Sequence, residues 1–326
     1  MGQKNSGLKP RVITSVCYVV IWIALCALKW CVPYTAVQGT NVYWGSLGFD
    51  ILFTAISIIG CFEFLRAIDN TQGEKKISPM QRAFALAFCA ISVPLYVLTE
   101  ITMHMGFLGV ACAFAIYVMF LSAASVFDHN RSSVKGTISC VFAMLYCGAL
   151  PVMMAAINHL TRNSMVAILV LFMSTVFTDA GAFLIGSTCK RWLPAKLAPQ
   201  LSPNKTIIGA VGGVIGGIVG SLAALGVMYL FGGVVGGDNG YQLLRFNEVY
   251  LTFSSSFPYV VSFILIGLFT SVLAQVGDLL ESAIKRECGV KDMGNLLPGH
   301  GGILDRFDSM LYCSVIVLFS FGTIII

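Results

Sequence analysis

Runs of about twenty apolar residues recur along this chain of 326 residues, and nothing else in the sequence constrains its fold as tightly. A helix needs about 20 such residues to cross the hydrocarbon core of a bilayer. Nine segments reach that length, at roughly 12–32, 45–65, 83–103, 106–127, 137–157, 164–187, 207–231, 257–280 and 309–326. Backbone N–H and C=O groups find no water in lipid, so a spanning segment must satisfy them internally, as a helix does. The expected fold is therefore an all-α, polytopic integral membrane protein with about nine transmembrane helices. Composition excludes the soluble alternative, because only 11% of residues are charged against about 25% in soluble domains. The 11 cysteines form no paired C-x-x-C spacing, so neither a zinc site nor a disulfide framework is indicated.

Lysine and arginine set the orientation, since they gather in cytoplasmic segments. With the N-terminus inside, only Lys29, Arg162 and Arg245 fall on the outer side, which leaves 17 of the 20 basic residues in the cytoplasm. The basic start is followed by an apolar run without a small-residue cleavage site, so no cleaved signal peptide is expected. Residues 1–163 read as five N-terminal membrane helices. Residues 164–326 read as a catalytic membrane domain, helices six to nine, with cytoplasmic loops at 188–206 and 281–308. No internal repeat is evident.

The second of those loops is the anomaly. Residues 282–309, "SAIKRECGVKDMGNLLPGHGGILDRFDS", are dense in charge just before the last apolar run. Acids near the spans are costly and mark functional sites by default. Asp50 and Glu100 fall near the outer ends of their helices, where an interfacial role suffices, and Glu63 stands three residues from Arg66, the spacing of a helix-surface ion pair. Asp179 and Asp278 lie towards inner ends, where they can meet the loops. Asp278, Ser282 and Lys285 follow i, i+4, i+7 spacing and share a face if their helix continues past 280. Asp305 and Asp308 also share a face. Asp278, Asp305 and Asp308 together suit a hard cation such as Mg²⁺, which takes oxygen ligands and keeps waters for phosphates. Lys285, Arg286, Lys291 and Arg306 supply donors for phosphate oxygens. The "PGHGG" run lets the backbone take positive φ or approach an anion closely. His300 within it is read as a supporting residue that hydrogen-bonds phosphate or orients the loop.

A second stretch runs from Thr178 to Gly213. Ser202 followed by Pro203 reads as a helix N-cap and first helical position. The next helix would then offer free N–H groups and its positive dipole end to phosphate, with Lys205 alongside. Gly209, Gly212, Gly213, Gly216, Gly217 and Gly220 form overlapping G-x-x-x-G spacings, read as close helix packing. They are no dinucleotide fingerprint, because no strand precedes them.

These residues resemble the signature of the phosphatidate cytidylyltransferase (CDP-diacylglycerol synthase) family, S-x-φ-K-R-x4-K-D-x-G-x2-φ-P-x-H-G-G-φ-x-D-R-φ-D with φ apolar. Ser282, Lys285, Arg286, Lys291, Asp292, Gly294, Pro298, His300, Gly301, Gly302, Asp305, Arg306 and Asp308 fill it without departure. Upstream, Asp179 to Phe183 and Ser202 to Gly209 are similar to two further family elements. Ile208 stands where the family usually has Glu, which puts in doubt the contact that carboxylate makes. The likeness covers about 178–308; the first five spans match only in hydrophobicity.

The resemblance implies that CTP and phosphatidic acid give CDP-diacylglycerol and pyrophosphate with Mg²⁺, one ion or two, in phospholipid biosynthesis. It implies Asp278, Asp305, Lys285, Arg286 and Arg306 as catalytic residues, with Asp278, Asp305 and Asp308 on metal. Asp179, Ser202, Lys205, Thr206, Ser282, Lys291, Asp292, His300, Gly301 and Gly302 would bind substrate. The implied setting is the cytoplasmic face of a membrane, the inner membrane in a bacterium, among membrane lipids and as a homodimer, with no nucleic acid as partner. Two other readings stay open at this point. A CTP-dependent lipid kinase of the polyprenol or phytol type would transfer the γ-phosphate instead. An ion-coupled transporter would hold its acids near mid-membrane between repeats.

Overall fold

The computed structural model describes residues 8–31, 44–69, 77–128, 130–160, 164–189, 195–235, 256–297 and 301–324. Among the described residues the fold is helical apart from one small hairpin, an isolated bridge between Leu297 and Gly301, and the connecting turns. The helices are α1 (Leu8–Cys31), α2 (Leu47–Asp69), α3 (Pro79–Met103), α4 (Gly106–Phe127), α5 (Val134–Ala143) and α6 (Leu150–Asn158), then α7 (Ser164–Thr188), α8 (Ile207–Val235), α9 (Ser256–Glu287) and α10 (Leu304–Phe319). A π-helical stretch, Met144–Ala149, joins α5 to α6 into one continuous span. Among the described residues seven helices are long and apolar enough to cross a membrane, the joined α5–α6 counted as one. The protein is an integral membrane protein. The first and last of the nine expected spans are helical as well, but they fall outside those seven: the apolar part of α1, Val16–Lys29, is shorter, and α10 has 16 residues before its π-helical end.

The chain divides into two compact units, 1–156 with 284–307, and 157–283 with 308–326. In the first, α2 and α3 supply the core. Phe49, Phe53 and Phe88 are fully buried, and Ser57 Oγ of α2 donates to the Cys89 carbonyl of α3 at 2.8 Å. The start of α3 is fixed by a reciprocal cap, in which Ser78 Oγ accepts from Gln81 N–H and Gln81 Oε1 accepts from Ser78 N–H. The Gln81 amide nitrogen then donates to Ser125 of α4 and Thr137 of α5, so one buried side chain ties three helices. At the other end of α3, Glu100 accepts from Gly106 N–H and caps α4, a local role of the kind expected for it.

In the second unit α8 packs between neighbours with almost no side chain in the way. A Cβ at Gly220 would come within 2.5 Å of the Met173 carbonyl oxygen of α7, and one at Gly217 within 2.5 Å of Ser271 Cβ of α9. Glycine there is a packing requirement, as the spacing of the glycines indicates. Polar ties run beside the seam: Ser221 Oγ donates to the Phe263 carbonyl, and Gln275 Nε2 to the Ala210 carbonyl. Cys313 of α10 donates to the Thr270 carbonyl of α9.

The expected cap at Ser202 is corrected by the structure. Strand β1 (Lys196–Ala198) pairs antiparallel with β2 (Ser202–Thr206), with Lys196 opposite Thr206 and Ala198 opposite Ser202. α8 begins four residues beyond Pro203, and Thr206 is its cap, accepting on Oγ1 from Gly209 N–H at 3.1 Å. Proline lacks an N–H to donate, so an exposed strand position suits it as well as a first helical turn. The strand pairing decides between them, and it also places a short strand directly before α8 and its glycines, where the sequence indicates none.

Candidate active site

α9 is the scaffold for the polar stretch. It runs 32 residues without a break, so Asp278, Ser282 and Lys285 do stand on successive turns of one helix. It stops at Glu287 for a local reason. Gly289 takes φ of 65°, and Val290 N–H closes back on the Lys285 carbonyl at 2.9 Å. Glycine adopts that left-handed turn without a Cβ penalty.

In the second unit the ligand oxygens of Asp278, Glu281 and Asp308 all lie within 4.8 Å of one another. Asp308 is 7% exposed and Glu281 1%, whereas Asp278 is half-buried. Oxygens on an octahedral Mg²⁺ stand about 2.0–2.1 Å from the ion, so a trio this close fits a small hard cation. Asp278 also pairs with Lys205 of β2 at 2.5 Å, and Asp308 Oδ1 accepts from Ser309 N–H at 2.7 Å. Glu281 has no place in the sequence reading. It lies three residues after Asp278, and the face rule that joined Asp278 to Ser282 would have reached it.

In the first unit the loop after α9 closes around Asp305. The Asp305 carboxylate accepts from Met293 N–H at 3.0 Å and Gly302 N–H at 2.7 Å on Oδ2. On Oδ1 it accepts from Lys285 Nζ at 3.0 Å and again from Met293 N–H. Both oxygens are engaged, and Asp305 is not one of the close trio. Gly301, at φ of 87°, brings its backbone against this carboxylate, where a Cβ would stand 2.6 Å from Oδ2. The Leu297 N–H donates to the Gly301 carbonyl at 2.9 Å.

Glu63 departs from the surface ion pair that its spacing suggested. It is 5% exposed, and its oxygens accept from Ile303 N–H at 3.1 Å and Leu304 N–H at 3.0 Å, at the start of α10. No sequence signal points there, because the partners lie about 240 positions away.

The other expected site residues are spread around these two groups. Arg286, Lys291, Asp292 and Arg306 are exposed on the first unit, and Ser282 is half-buried on α9. In the second unit Asp179 is exposed on α7, while Ser202 and Thr206 sit in β2, half-buried and buried. His300 and Pro298 lie outside the described residues, as do Lys190 and Arg191.

Residues 11–324 match the model of a family described as the cytidylyltransferase family. The chain is 42% identical over 135 residues to a phosphatidate cytidylyltransferase of Bacillus subtilis (strain 168), an overlap of 41% of this chain and 39% of that protein. It is 33% identical over 190 residues to a phosphatidate cytidylyltransferase of Staphylococcus aureus (strain COL), covering 58% and 60% of the two chains. With that of Staphylococcus haemolyticus (strain JCSC1435) the identity is 34% over 194 residues, covering 59% and 62%. The chain thus spans less than two thirds of the length of each of these relatives.

Proposed function

The chain belongs to the cytidylyltransferase family, and we propose that it transfers the cytidylyl group of CTP to phosphatidic acid, giving CDP-diacylglycerol and pyrophosphate. The observation that carries this is the trio Asp278, Glu281 and Asp308 with Lys205 on its edge, a pairing of oxygen ligands with a phosphate-seeking ammonium. A phosphate oxygen of the lipid attacks the α-phosphorus of CTP, and the bond between the α-phosphorus and its bridging oxygen breaks. Pyrophosphate leaves with that electron pair. The attacking oxygen is already anionic near neutral pH, so the site needs no strong base. Its task is to bring two polyanions together and to hold them in line.

Asp278, Glu281 and Asp308 would hold Mg²⁺, which would supply neutralisation of the negative charge on the nucleotide and its leaving group. Lys205 moves from Asp278 to the nucleotide phosphates as CTP binds. Arg286, Lys291 and Arg306, exposed and cationic, draw in the nucleotide and the lipid headgroup. Asp305 fixes the backbone at Met293 and Gly302 and keeps the Lys285 ammonium oriented. Asp179, Ser202, Thr206, Ser282, Asp292, His300, Gly301 and Gly302 complete the substrate contacts in this reading. The inner-leaflet setting and a homodimeric assembly belong to the same reading, on the resemblance alone.

Label placement tests it. With the purified full chain, Mg²⁺ and phosphatidic acid, label in the α-position of CTP is expected in the lipid product, and γ-label in pyrophosphate. Lipid that carries γ-label without α-label would instead make the protein a lipid kinase.

A further inference from the structure

Two glycines of the polar loop stand out because a single side chain accounts for both. A Cβ built on Gly294 would meet Glu63 Oε1, and the three nearest atoms all belong to Glu63. A Cβ on Gly302 would meet Glu63 Oε2, and again the three nearest atoms are those of Glu63. The same two oxygens accept, one each, from Ile303 N–H and Leu304 N–H. Those are orphan donors of the first turn of α10, where a carboxylate also meets the favourable end of the helix dipole. One turn earlier on α2, Gly60 leaves room for Leu304, whose Cδ1 would lie 3.3 Å from a Cβ there. Leu304 is fully buried.

We infer that Glu63 is the positioning residue of the site, the template against which Gly294 and residues 302–304 pack and from which α10 takes its starting angle. α10 carries Asp305 and Arg306 in its first turn and Asp308 in its second. A shift of its start is a shift of all three. Glu63 touches no reacting atom; it acts through the backbone it holds. Its charge matters as well as its shape, because both oxygens face donors. Glutamine would turn an NH2 towards one of them. This inference rests on the proposed reaction only through the catalytic readout, since the fold of the loop can be measured separately.

The experiment uses the full chain in detergent, with kcat, KM for CTP, thermal midpoint and hydrogen exchange at the Ile303 and Leu304 amides. Glu63→Gln is expected to lower kcat at least tenfold with KM for CTP within about threefold, and to speed exchange at both amides. A general structural role would lower the thermal midpoint and leave kcat per folded molecule unchanged, which would overturn the inference. The glycines give the sharper arm. Gly294→Ala alone is expected to lower kcat about a hundredfold and to speed exchange at the two amides, because its methyl collides with Glu63. In a Glu63→Ala background the same substitution is expected to change either quantity less than threefold, since the three atoms nearest that methyl all belong to Glu63. An equal effect of Gly294→Ala in both backgrounds refutes the template. Should the wild-type chain transfer no cytidylyl group, the proposed function falls, and the exchange data alone decide for or against Glu63.

Discussion

Asp305→Asn removes one charge from a carboxylate whose four contacts are all with donors, and the cost can be worked from them. The native oxygens accept from Lys285 Nζ, Gly302 N–H and, on both oxygens, Met293 N–H. Asparagine keeps one acceptor. Whichever way its amide turns, the NH2 meets either the Lys285 ammonium or the Gly302 N–H. Hydrogen bonds to charged groups contribute about 1.5–3 kcal/mol each, and breaking a buried ion pair from one side costs about 3–5 kcal/mol. The Lys285 side chain keeps 15% of its surface, enough water contact to favour the lower end. We expect local opening of the loop to become easier by about 3 kcal/mol, which at 1.4 kcal/mol per decade is roughly a hundredfold. Hydrogen–deuterium exchange at the Met293 and Gly302 amides, read by mass spectrometry on the full chain, measures it. A peptide from α3 serves as the internal reference. Adding Lys285→Met to the variant is expected to restore part of the protection, because the clash between the ammonium and the asparagine NH2 is then gone. Exchange at both amides within threefold of wild type would refute the reasoning.

Lys205→Ala is expected to raise KM for CTP and to lower the Mg²⁺ concentration needed for half-maximal rate, because the ammonium that competes for Asp278 is removed. An unchanged KM for CTP beside a raised one for lipid would assign Lys205 to the headgroup. Burial chiefly, with the Glu287 carboxylate adding to it, pushes the Cys288 thiol above its ordinary pKa. Since the thiolate is the reactive form, maleimide labelling of Cys288 at pH 7 is expected to lag that of a free thiol and to accelerate as pH rises. Peptide mapping that finds Cys288 labelled as fast as free cysteine at pH 7 would contradict this.

The spans were legible because bilayer thickness imposes a length that sequence displays directly. The face shared by Asp278, Ser282 and Lys285 is legible on one condition, that their helix continues past 280, and α9 meets it. Ser202 misled because Ser-Pro satisfies the local rule for a helix start and equally an exposed strand position. What decides is the pairing with Lys196–Ala198, a contact that no local window contains. Glu63 misled in the same way. Arg66 offered a partner three residues away, whereas its bonds go to Ile303 and Leu304. Glu281 lies within reach of the face rule, but the signature does not specify it.

α9 has 32 residues, about 48 Å at 1.5 Å per residue, against about 30 Å of hydrocarbon. It is therefore a ruler with a surplus. The surplus is long enough to lift its charged end clear of the oil on a rigid rod, at a depth set by where the apolar part of the same rod comes to rest. Bilayer thickness then becomes a variable of the chemistry. In a thicker membrane the rod tilts or sinks, by the small costs per ångström that govern hydrophobic mismatch, and Asp278 and Glu281 move with it relative to the headgroup plane. A protein built this way would register the chain length of the lipids around it.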